Sequence, residues 1–151
     1  MNKLREAREF TFQYLFHLQL PVFESIKKEL ILDSTHSTLK DSIAEFKNST
    51  NSMFDSETNK FIEDLIVGTL SHYDKVEEII SKNLKNWKIS RLSKVDKTNL
   101  LIATYEISYV ESTPINIVIN EAVEISKKFG SAESASFTNG VLDNIAKNKI
   151  Q

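Results

Sequence analysis

The run Ile115-Asn116-Ile117-Val118-Ile119-Asn120-Glu121-Ala122-Val123-Glu124 admits two readings. Its first half is dominated by β-branched residues and would suit a strand. Carried forward, Ile115, Val118, Ile119, Ala122, Ile125 and Phe129 fall at spacings of three and four, which is the period of a helix. Pro114 suits a first helical turn and Gly130 a C-terminal stop, so the segment is predicted to be a helix.

The same period recurs on both sides. Upstream, Ser93-Lys94-Val95-Asp96 resembles a capping box with Asp in place of Glu, opening a helix that runs to about Tyr109 on Leu100, Leu101, Ala103 and Ile107. Before it, Ile62, Leu65, Ile66, Tyr73, Val76 and Ile80 belong to one apolar stripe, predicting a single long helix from beyond Asp55 to Leu84. A connector follows through Trp87 to Leu92. Downstream, Phe137, Val141, Leu142 and Ile145 predict a last helix over about 132–147. Toward the N-terminus, Leu4, Ala7, Phe10, Tyr14, Leu15 and Leu18 predict a helix ended by Pro21. A second helix is expected over about 22–32, a short one over 38–46, and a mobile loop from Lys47 to Lys60.

Composition agrees with helices. The chain has 151 residues, 40% hydrophobic and 26% charged, enough for a hydrophobic core in one domain or two small subdomains. Three glycines and two prolines are few for a sandwich, barrel or doubly wound fold. The expected architecture is all-α, with two packed helical subdomains of about 1–84 and 85–151.

The same counts exclude most chemistries. Without cysteine there is no thiolate metal site, iron-sulfur cluster or cysteine nucleophile. His17, His36 and His72 lack the spacing of a helical zinc site, and the glycines are too dispersed to cradle a phosphate. Glu77-Glu78 and Glu121 with Glu124 read as solvated helix faces. No enzyme activity, metal or cofactor is expected. The opening residues lack the apolar run of a signal peptide and no run would span a membrane, so a cytoplasmic protein is expected.

Charge is more informative. Net charge is −2, so any nucleic-acid contact must be local. The only arginines are Arg5, Arg8 and Arg91. Arg5 and Arg8, three apart, read as one phosphate-facing track or as an ordinary solvated helix end. Lys82, Lys85, Lys88, Arg91, Lys94 and Lys97 recur at every third position around Trp87. They read as a solvated connector ahead of a phosphate track, because that spacing drifts around an α-helix.

An ordered set of motifs resembles the NusB family of bacterial transcription antitermination factors. It comprises Ala7-Arg8-Glu9 with Gln13, Arg91-Leu92 with Val95-Asp96, Ala103-Thr104-Tyr105-Glu106, and Pro114 leading into Ile119-Asn120-Glu121-Ala122-Val123-Glu124. It closes with Lys127-Lys128-Phe129-Gly130 and Phe137-Thr138-Asn139-Gly140-Val141-Leu142-Asp143. The resemblance implies an all-helical fold of two subdomains and a non-enzymatic adaptor. Such an adaptor pairs with NusE, a small-subunit ribosomal protein, and binds boxA RNA. With other Nus factors it then joins the RNA polymerase elongation complex and supports ribosomal RNA transcription.

By position, the resemblance places the RNA-binding arm on Lys3, Arg5 and Arg8 and aromatic RNA contacts on Phe129 and Phe137. It places an affinity-tuning acid on Glu133 and an acid near the partner surface on Asp96. Leu4 and Glu6 interrupt the cations of the arm, where family members often carry consecutive arginines. Phe129 and Phe137 bracket the turn at Gly130, so one surface is expected to hold both rings. Asn120 and Asn139 are assigned to hydrogen bonds with helix ends or neighbouring helices, and Gly140 to close helix packing. A helical domain of this type also occurs fused to ribosomal RNA methyltransferases, but the chain carries neither their glycine-rich cofactor loop nor a catalytic cysteine. The remaining alternative is a helical protein-interaction module with weak or lost RNA binding.

Overall fold

The computed structural model describes residues 3–19 and 37–150. Among them are seven α-helices, one short 3-10 turn and no strand. The helices are α1 (Lys3–His17), α2 (Ser37–Ser49), α3 (Ser56–Ser71), α4 (Tyr73–Lys82), α5 (Lys94–Tyr109), α6 (Ile115–Phe129) and α7 (Ser134–Ile150), with the 3-10 turn at Ile89–Arg91. The helix expected over 22–32 lies outside the described residues. The chain divides into two compact units between Ser71 and His72, not after Leu84.

In the first unit α1 packs along α3. Phe46 of α2 meets the rings of Phe10 and Tyr14 edge-on, each at 5.5 Å, and Tyr14 Oη shares a 2.8 Å hydrogen bond with Ser42 Oγ. The polar run after Lys47 is a helix cap where a mobile loop was expected. Asn51 takes the left-handed conformation (φ 54°), Ser52 N–H donates to Lys47 O at 2.9 Å and Asn51 N–H to Asn48 O at 3.3 Å. These are the bonds of a Schellman motif, with Asn in glycine's usual place. Asp55 then caps α3, its Oδ1 accepting from Thr58 N–H at 2.8 Å.

The single long helix expected after Asp55 is two helices, interrupted at His72 (φ −106°, ψ 20°). No glycine or proline marks the break, and the apolar period continues through it. The break is a tertiary matter: the His72 ring lies 4.1 Å from that of Tyr109 and 5.6 Å from that of Tyr105.

The second unit is built on α5, which contacts α4, α6 and α7, while α6 and α7 pair along their length. Its core joins Val76 and Ile80, Leu100 and Ile107, Val118 and Ala122, Leu142 and Ile145. A buried polar chain ties three helices together. Asn99 Nδ2 donates to Ala122 O (2.8 Å) and Ser126 Oγ (3.0 Å), and Ser126 Oγ donates to Thr138 Oγ1 (2.9 Å). Asn120 and Asn139, assigned to such ties by the sequence, are exposed.

Candidate RNA-binding site

The α6–α7 turn is drawn tight at Gly130. A Cβ added there would lie 2.5 Å from Ser134 Oγ, 2.6 Å from Ser134 Cβ and 2.8 Å from Ser126 O. Gly130 is extended (φ −98°, ψ −171°), so close approach and not a left-handed stop requires the glycine. Ser134 Oγ accepts from Ser131 N–H at 3.0 Å, and Ser134 is buried. This fixes the first turn of α7, leaving Glu133 exposed and Phe137 half-buried against the core of the second unit.

Opposite this turn stands the start of α5. Ser93 Oγ accepts from Asp96 N–H at 3.1 Å, the forward half of the expected capping box. The reciprocal half is missing: Asp96 Oδ1 is buried without a hydrogen-bond partner. Between them lies a cavity of about 230 Å³ whose walls include Trp87, Arg91, Asp96, Glu133 and Phe137. Asp96, Glu133 and Phe137, expected by position from the resemblance, thus line one cavity. Phe129 is not part of its wall; Lys128 Nζ sits 5.5 Å from the Phe129 ring centroid. Of the two rings expected on one surface, Phe137 is the one that lines this cavity. The cavity offers ring faces, carboxylate acceptors, hydroxyls and one guanidinium, a set suited to a base and its sugar.

The arm belongs to the first unit. Lys3 Nζ forms a 2.8 Å ion pair with Asp55 Oδ2, which, with the Thr58 bonds, holds the Asp55 carboxyl well below the usual carboxylate range. Arg5 is exposed, whereas Arg8 is 4% exposed, with its guanidinium 5.1 Å from the Phe61 ring centroid. They do not form one exposed track. The reason is that α1 is buried almost all round beyond its first turn, with Ala7, Arg8, Phe10, Thr11 and Phe12 all buried.

Trp87 and Arg91 also line the cavity, although Trp87 stands in no family motif and Arg91, which does, is given no role at the site by the resemblance. Their signal was an aromatic within a row of cations. The row resolves into paired ends and an open middle. Lys82 pairs with Glu78 (3.0 Å) and Lys97 with Glu77 (2.9 Å), while Lys85, Lys88, Arg91 and Lys94 are exposed. Burial depresses the Lys97 ammonium, but Glu77 and Tyr73 outweigh that and raise it above its ordinary value. Among the described residues no group of three or more His, Asp and Glu is placed to hold a metal ion, and no helix is long and apolar enough to cross a membrane.

Comparison with known proteins agrees with the all-helical fold. The chain is 39% identical over 148 residues to the transcription antitermination protein NusB of Exiguobacterium sp. AT1b, covering 96% of this chain and 98% of that one. It is 51% identical over 89 residues to the protein of the same name from Bacillus cereus B4264, covering 59% of this chain and 68% of that one. Among solved structures, T. maritima NusB superposes with a TM-score of 0.77 at 31% identity, covering 97% of this chain and 92% of that one. The fold also matches a chain from a crystal structure of antitermination factors NusB and NusE in complex with dsRNA, with a TM-score of 0.77 at 22% identity and 98% of each chain covered. The NusB family model spans residues 5–147, and the chain belongs to the NusB family.

Proposed function

We propose that this chain is a cytoplasmic, non-enzymatic antitermination adaptor that pairs with NusE, binds boxA RNA and carries it to the elongating RNA polymerase with the other Nus factors. The observation that carries the reading is the convergence of Asp96, Glu133 and Phe137 on one cavity beside Arg91 and Trp87. The relatives supply the class of function, and the NusB–NusE–RNA assembly supplies the kind of partner. A net charge of −2 favours a basic partner that brings the charge this chain lacks. In this reading Phe137 is a base contact, Glu133 tunes affinity by opposing phosphate, Asp96 faces the RNA and partner side, and Phe129 adds a ring beyond the cavity. Lys3 and Arg5 supply the arm, with Arg8 held under them.

Transcription through a terminator downstream of boxA tests it. Adding the chain with NusE and the other Nus factors should raise read-through on a boxA template and leave a scrambled template unchanged. Equal read-through on both would sink the reading. The burial of Arg8 favours one alternative, a protein-interaction module with weak RNA binding. It would capture NusE and leave read-through unaltered.

A further inference from the structure

Residues 83–93 join α4 to α5 through the 3-10 turn at Ile89–Arg91. Three-residue spacing drifts around an α-helix, but the middle of the cation row, Lys85, Lys88 and Arg91, lies between α4 and α5 and not on either. Arg91 N–H donates to Lys88 O at 2.8 Å across this single turn, which brings positions 88 and 91 close together. Lys85, Lys88, Arg91 and Lys94 are exposed, and among the described residues none of them forms an ion pair. In their midst Trp87 is 58% exposed, stands outside the hydrophobic core of its unit and lines the cavity that holds Phe137. Leaving so large a ring in water forgoes burial that a core position would provide.

We propose that this connector is a further binding surface for single-stranded RNA, in which Trp87 stacks on a base and Lys85, Lys88 and Lys94 follow the phosphates. The inference rests on the RNA-binding reading above and extends it to residues to which that reading gives no contact with RNA. Sequence-tolerant single-strand binding needs a cationic track interleaved with aromatic faces, and both are present here. Asp96 and Glu133 in the cavity oppose phosphate, so the base enters beside Phe137 and the backbone stays outside along the lysines.

Trp87 is the only tryptophan in the chain, so its fluorescence reports directly on stacking. The test titrates the chain with NusE against an end-labelled single-stranded boxA RNA. Label anisotropy and tryptophan emission are followed together, and Trp87→Phe serves as the emission blank. RNA should quench Trp87. Trp87→Ala should weaken binding about 5- to 150-fold with an unchanged unfolding midpoint, and Trp87→Phe should retain most of the affinity. Replacing Lys85, Lys88 and Lys94 with Gln should lower the salt slope by about 2. RNA bound with no quench, unaltered affinity for Trp87→Ala and an unaltered salt slope would overturn the inference and leave the adaptor reading intact. The inference also falls if these variants weaken capture of NusE and not of RNA. No RNA binding by the wild-type chain would overturn the adaptor reading, and the inference with it.

Discussion

Gly130 and Gly140 look alike in the motif that contains them, and the structure separates them. At Gly130 an added methyl meets Ser134 and the Ser126 carbonyl below 3 Å, so Gly130→Ala should destabilise by about 1–3 kcal/mol. At Gly140, within α7, an added Cβ meets nothing within 4 Å, so the glycine does not serve helix packing as its position suggested. Gly140→Ala should stabilise by about 0.5–1 kcal/mol, because alanine loses less backbone entropy in a helix. Denaturant midpoints of the two variants should move in opposite directions. The phenylalanines divide in the same way. Phe129→Ala should leave stability nearly intact and lower boxA affinity by about 1–3 kcal/mol. Phe137→Ala, whose ring packs on the core and lines the cavity, should lower both. A large fall in the Phe129→Ala midpoint with unchanged boxA binding would place that ring in the core. The arginines differ too. Arg5→Ala should reduce the salt slope of RNA binding by about 1 at unchanged stability, while Arg8→Ala should cost stability through the lost packing on Phe61. Equal midpoints for the two would contradict the buried placement of Arg8.

Between elements, Tyr14 of α1 and Ser42 of α2 give the first unit a measurable signature. Burial, partly offset by the Ser42 hydrogen bond, pushes the Tyr14 hydroxyl up to about 12. The fold thus keeps the neutral phenol, whereas an unfolded tyrosine ionises near pH 10. Its contribution is complete below about pH 10 and is lost as pH rises toward 12, the unfolded state there having released a proton that the native state holds. The wild-type midpoint should therefore fall more steeply than that of Tyr14→Phe between those values, and parallel curves would refute the assignment. Elements were also where the sequence was most and least legible. Helix identity followed from period, as for α6, whose β-branched start was outweighed by its continuation. Helix ends did not follow from it. Asn51 in the left-handed region replaces glycine as a stop, and the break at His72 depends on rings from α5, which a local period cannot register. The buried Asn99 chain was equally invisible, since an asparagine within an apolar run carries no mark of the partners it will find on α6 and α7.

Across the molecule, the resemblance named Asp96 and, nearly forty residues on, Glu133 and Phe137, and the fold brings all three to one cavity. It assigned no role to Trp87 or Arg91, which line the same wall, because their placement depends on the path of a connector with little periodicity. Nor could spacing tell that Arg8 is buried while Arg5 is not, since the wide burial of α1 beyond its first turn comes from tertiary packing. The division at His72 leaves Lys3 and Arg5 on the first unit and the cavity on the second, each with its own core. A sparse arm and a net charge of −2 supply little attraction for a polyanion. The account therefore requires a basic protein partner for tight, sequence-selective binding. The decisive measurement is a titration of the chain against boxA and scrambled RNA, with and without NusE, at one fixed salt concentration. Binding by the chain alone should be weak and unselective, and with NusE the boxA affinity should be at least tenfold tighter, about 1.4 kcal/mol, with preference over the scrambled RNA. Equal boxA affinity in the presence and absence of NusE would contradict it.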